Sequence, residues 1–115
     1  MSSPIGIREV LWHKANLLAN NIHSLSDSLP KDEIYELKIR LKHCVASIPD
    51  YLTSGFEKER RIDKIRAFIH ASSQLEECRS YLNMIENLRY GDVQELKMQV
   101  DEMVGMLKLN SGTFN

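Results

Sequence analysis

The chain has 115 residues, enough for one compact domain with a core of its own and too few for a multidomain enzyme. Hydrophobic residues make up 43% and charged residues 27%, a globular balance that speaks against wholesale disorder and membrane residence. Lys and Arg number 15 against 16 Asp and Glu, a formal charge of -1, so no global field draws the protein to nucleic acid or lipid and any polyanion site must be local.

The opening MSSPIGIREV lacks the apolar run of a signal peptide, and no later stretch approaches the roughly 20 apolar residues of a membrane helix. A cytoplasmic protein is expected. Apolar residues at Ile7, Val10, Leu11, Ala15, Leu18, Ile22 and Leu25 recur at spacings of three and four, which predicts a first helix from Ile7 to about Leu25. The polar run Ser24 to Ser28 and then Leu29-Pro30 interrupt it, because Pro30 disfavours helix at the residue before it. A second helix is expected from Pro30 to near Gly55, with Asp32 and Glu33 in its first turn and a stripe of Ile34, Leu37, Leu41, Cys44, Val45, Ile48 and Leu52. Pro49 lies inside that stretch, where a proline removes one backbone hydrogen bond and crowds the preceding turn. The stripe stays in phase across it, so one kinked helix is expected, not two.

A charged link, Phe56 to Arg61, precedes the longest stripe, from Ile62 through Ile65, Phe68, Ile69, Leu75, Cys78, Leu82 and Ile85 to Leu88. Tyr90-Gly91-Asp92 then predicts a turn, Gly91 taking the left-handed terminator and Asp92 capping a fourth helix from Val93 to Leu107. The tail from Asn110 to Asn115 has no pattern and is expected to fray. No segment alternates with period two. The fold class that follows is all-α, an antiparallel up-down-up-down four-helix bundle with helix two kinked at Pro49, in one domain ordered over about residues 7–109.

Chemistry is sparse. The His residues at 13, 23, 43 and 70 form no pair at i,i+4 spacing, and no Glu-x-x-His repeat suggests a di-iron bundle, so no metal or other cofactor is expected. Cys44 and Cys78 are isolated within helical stripes and read as buried thiols. No nucleophile elbow or phosphate-cradling glycine loop occurs. An enzyme would need a pocket converging on His43, Cys44 or His70.

Charge is unevenly spread. Residues 38–66 hold eight cations against four anions, a net of +4, whereas residues 67–115 carry a net of -3. Lys58, Arg60, Arg61 and Lys64, with Arg40 further back, are therefore the candidate phosphate contacts, and a merely solvated helix start is the competing reading. Trp12 and Phe68 are expected in or beside the core, while Tyr35, Tyr51 and Phe56 flank the ends and kink of helix two as candidate oligomer-interface residues. Leu17, Ile39 and Met106 widen the apolar faces, as a covering subunit would require.

Four segments follow one known order: Trp12-His13-Lys14-Ala15, Leu29-Pro30-Lys31-Asp32-Glu33-Ile34-Tyr35, Ala46-Ser47-Ile48-Pro49 ahead of Gly55-Phe56, and Ser73-Gln74-Leu75-Glu76-Glu77. Through them the chain resembles, over roughly residues 7–109, the four-helix-bundle proteins encoded in intervening sequences of bacterial large-subunit (23S) ribosomal RNA genes. Ser54 stands where that family usually has an acidic residue. The resemblance implies a bundle assembled into a closed ring of five, in a family with no established catalytic activity, and a noncatalytic protein is expected. It also implies a likeness in shape to accessory proteins of diversity-generating retroelements, which bind nucleic acid and reverse transcriptase. Its expected partners are copies of itself and either nucleic acid or another protein. A scaffold that docks a protein without nucleic acid is the alternative function.

Overall fold

A computed structural model describes residues 6–30 and 34–110. Among them the chain forms four helices, α1 (Ile7–Ser28), α2 (Tyr35–Glu57), α3 (Arg61–Asn87) and α4 (Gln94–Asn110), and no strand. It is an all-α bundle. α1 packs on α2, α2 on α3, α3 on α4 and α4 back on α1, within an envelope of 49 × 26 × 20 Å. Across each of three seams the paired positions climb on one helix as they fall on the other. Arg8 meets Glu57 and Asp27 meets Lys42 between α1 and α2. Arg40 meets Tyr81 and Tyr51 meets His70 between α2 and α3, and Arg79 meets Asp101 and Glu86 meets Lys97 between α3 and α4.

The stripes read from periodicity are the core. Leu11, Leu18 and Ile22 of α1, Leu41, Ile48 and Leu52 of α2, Phe68, Leu75, Leu82 and Ile85 of α3, and Met103 and Leu107 of α4 are all fully buried. Each such side chain contributes about 1.5–3 kcal/mol on leaving water. Trp12 departs from expectation: Phe68 is buried, but Trp12 is 49% exposed. It follows Leu11 by ~100° of helical rotation, which carries its ring off the buried stripe onto the flank of α1.

Helix ends differ from the pattern where polar residues were read as stops. α1 runs past Leu25 to Ser28, because Ser28 Oγ donates back to the Leu25 carbonyl (2.7 Å) and the real stop is Leu29, forced extended (ψ 156°) ahead of Pro30. α2 is continuous through Pro49 and ends at Glu57. Asp32 and Glu33, expected in its first turn, lie outside the described residues, and the helix itself begins at Tyr35, after Ile34. The left-handed terminator of α3 is Arg89 (φ 62°), not Gly91. The Tyr90 amide donates to the Ile85 carbonyl (3.2 Å) and the Arg89 amide to the Glu86 carbonyl (3.0 Å), closing a Schellman motif two residues earlier than glycine placement suggested. Asp92 does cap, its Oδ1 accepting from the Gln94 amide at 3.1 Å. Asn110 closes α4, and the remainder of the tail, residues 111–115, lies outside the described residues.

Two packing details make the bundle testable. Gly55 is buried, and a Cβ there would sit 2.5 Å from Phe68 Cε1, so α2 and α3 can approach this closely only over a glycine. Gly55→Ala should cost about 1–3 kcal/mol through overpacking, measured by urea denaturation, and Phe68→Leu in the same chain should recover part of that loss. Ser26 is fully buried and its Oγ finds no hydrogen-bond partner among the described residues. Ser26→Ala should therefore raise stability by about 1 kcal/mol, since a desolvated and unpaired hydroxyl is removed; the same denaturation midpoint reports it.

Candidate nucleic-acid interface

The α2–α3 junction gathers most of the cations singled out by sequence. Lys58, the residue after α2, is extended, its amide donating to the Gly55 carbonyl (3.3 Å), and Arg60, also extended, precedes the first residue of α3. Each cation has its own assignment. Lys64 Nζ donates to the Gly55 and Phe56 carbonyls (3.2 and 3.4 Å), closing acceptors that a helix C-terminus leaves open. Arg60 holds Asp63 bidentately, at 2.9 and 3.3 Å, a pairing one helical turn long. Arg61 is exposed at the first position of α3. Lys58 is exposed and makes no ion pair with any described residue.

Arg40 does not join them. It lies 18 positions before Lys58 on the same helix, about 27 Å away at 1.5 Å per residue. There it hydrogen-bonds Tyr81 and faces Glu36 at 3.9 Å, and both partners push its pKa up from the ordinary guanidinium value. Arg8 was not among the sequence candidates, yet it reaches the junction from α1, with Nη2 3.7 Å from Glu57. No local pattern announces that pairing, because its partners are far apart in the chain and meet only through the α1–α2 seam.

Beside Lys58 a surface hollow of about 470 Å³ is bounded by Asp50, Thr53, Ser54, Glu57 and Lys58. A second, of about 390 Å³, shares Thr53 and is lined by Arg8, Glu9, Trp12 and His13. Both mix charges of either sign, so neither concentrates a field of one sign. Ser54, at the position where a carboxylate was noted as usual, forms part of the first wall.

The aromatic candidates divide. Tyr51 stacks on His70 (centroids 5.3 Å apart, planes at 21°) and Phe56 sets its ring edge-on to Phe68 at 4.9 Å. Both are partly buried against the chain's own core. Tyr35 alone of the three stands well exposed, at 63%. Leu17 and Ile39 are also exposed, whereas Met106 is packed partly against the core.

The residues an enzyme would need are dispersed. His43 and His70 face solvent, while Cys44 is buried beside Cys78 in the α2–α3 seam. Burial first, then the negative field of Glu77, pushes the Cys44 thiol up to about 12, and burial likewise raises Cys78. The two thiols hydrogen-bond each other and stay protonated at neutral pH, poor nucleophiles and poor metal ligands. Among the described residues no three His, Cys, Asp or Glu side chains converge as a metal site, and no helix is long and apolar enough to cross a membrane.

Lys64 and Lys58 thus differ in kind, one holding backbone carbonyls and the other free to meet a ligand. Lys64→Ala should lower stability by about 1 kcal/mol as its carbonyl contacts are lost, while Lys58→Ala should stay within about 0.5 kcal/mol of wild type. Chemical denaturation of the two variants side by side checks the distinction.

The sequence profile described as 23S rRNA-intervening sequence protein matches residues 9–109. No curated protein sequence matches the chain.

Proposed function

Because the chain belongs to the 23S rRNA-intervening sequence protein family, we propose that it is a noncatalytic, cytoplasmic bundle that assembles with copies of itself, as a ring of five, and offers a cationic rim to structured RNA. The observation that carries the RNA reading is Lys58, exposed at the α2–α3 junction without an ion pair among the described residues and three positions from the exposed Arg61. Phosphates are the natural ligand for such cations, and the neighbouring pairs of Arg60 with Asp63 and Arg8 with Glu57 are open enough to re-form around a polyanion. The interior supports the noncatalytic reading, since its described side chains are apolar except for Ser26 and two protonated thiols.

A scaffold that binds only protein is favoured by a different observation, the large apolar side chains left exposed, Trp12 at 49% and Leu17 at 51% among them. Fluorescence anisotropy with a structured RNA hairpin at low and moderate salt separates the two readings. RNA binding predicts a strong salt dependence, a slope reduced by roughly 2 in the Lys58→Ala, Arg61→Ala double variant, and uniformly weaker affinity across sequences. No binding even at low salt would leave the protein scaffold.

A further inference from the structure

Two sets of exposed apolar residues line up on one face of their helix with a charge between them. On α3, Ile62 (49% exposed), Arg66 and Ile69 (55%) follow each other at i, i+4 and i+7. Arg66 is exposed and makes no ion pair with a described residue. On α4, Met98, Glu102, Gly105 and Leu109 fall at i, i+4, i+7 and i+11, and Met98 (68%) and Leu109 (65%) are the most exposed large apolar side chains described. Glu102 touches Lys14 at 2.9 Å yet keeps 56% of its side chain in solvent, and Glu95 adds a second carboxylate two turns away.

Gly105 sharpens the case. A glycine inside an exposed helix costs about 1 kcal/mol relative to alanine, and a Cβ here would meet nothing within 4 Å, so no contact inside the bundle calls for it. A helix arriving from outside could approach closely at that point, between Met98 and Leu109.

We propose that the Ile62–Arg66–Ile69 face of α3 in one copy docks on the Met98–Glu102–Gly105–Leu109 face of α4 in the next. The faces complement each other: Ile62 and Ile69 stand seven residues apart, the spacing from Met98 to the bare Gly105 with Leu109 four positions beyond it, and Arg66 lies against a carboxylate face. Both halves of the match are on this chain, which makes a second copy the occupant. The contact joins unlike surfaces, so it is heterologous and propagates from copy to copy until a ring closes. It rests on the homo-oligomer reading given above and names the surfaces that reading leaves open.

Light scattering tests it with two variants, Ile69→Glu on one face and Leu109→Glu on the other. Each alone should fall to the 13.3 kDa monomer mass with helicity kept by circular dichroism. Mixed in equal amounts they should form a species of twice that mass and no larger. One variant retains its α4 face and the other its α3 face, so a single junction can form. Asn20→Glu, an exposed position on α1 outside both faces, should assemble as wild type does. A wild-type chain that is monomeric overturns both the homo-oligomer reading and this one. An oligomeric wild type that either substitution leaves unchanged, or variants that stay monomeric when mixed, overturns only the assignment of surfaces.

Discussion

The close approach of α2 and α3 over Gly55 is the constraint on which the rest of the molecule depends. With no Cβ between them, the α2 backbone meets the Phe68 ring directly, and Phe56 closes on that ring from the side. Once that contact is set, the register of the whole seam is set with it. Tyr51 falls on His70, Cys44 on Cys78, and Arg40 on Tyr81, whose hydroxyl donates to Glu77 at 3.1 Å. The α2–α3 seam is the most extensive of the four. It also determines where the junction cations emerge, because Lys64 can reach the last carbonyls of α2 only if α3 starts beside them. The Gly-Phe pair that supported a family resemblance in the sequence thus has a packing reason, visible only when the two helices are placed together.

What the sequence disclosed was faces. Spacings of three and four specify which side of a helix is buried, and the residues so marked, such as Leu11, Leu18, Leu41, Leu75 and Leu82, are indeed fully buried. What it could not disclose was who lies opposite whom. Trp12 looked like core because bulky aromatics usually are, but one position of rotation separates it from Leu11 and leaves it at the surface. Arg89 in the left-handed region was invisible for a similar reason: Gly91 is the better local terminator, and the two Schellman bonds that hold Arg89 arise from where α3 actually stops. Serines at 24, 26 and 28 weakened the helical signal without ending the helix, since their hydroxyls can be turned back onto the helix or buried.

Charge was the least legible property. The net of +4 over residues 38–66 suggests a basic patch, yet Arg40 answers Glu36, Lys42 answers Asp27 on α1, Arg60 answers Asp63 and Lys64 is bound to carbonyl oxygens. Counting along the chain treats these as one field, whereas the fold spreads them over two helices and both ends of α2. The pairs are nonetheless weak. Exposed ion pairs contribute about 0–1 kcal/mol each, so a polyanion that offers several phosphates can draw such arginines from their carboxylates at little cost. A count of free cations is therefore a lower bound on those a ligand can recruit, and a count of all cations an upper one.

The interior and the outer faces divide the work of this molecule. Inside, among the described residues, apolar packing leaves protonated thiols and the Ser26 hydroxyl as the buried polar groups. Outside, the α2–α3 junction carries Lys58 and Arg61 among neighbouring carboxylates, and the outer face of α4 carries carboxylates and exposed apolar groups. An assembly that joins α3 of one copy to α4 of the next would use the second surface and leave the first at the rim. Repetition then matters more than any single contact. A lone lysine binds a phosphate weakly, but several copies of one junction held at fixed spacing act on a single polyanion as linked sites, each raising the effective concentration for the others. In the proposed ring, modest cationic character per chain would suffice, and a net charge of -1 per chain is no obstacle to the proposed RNA contact.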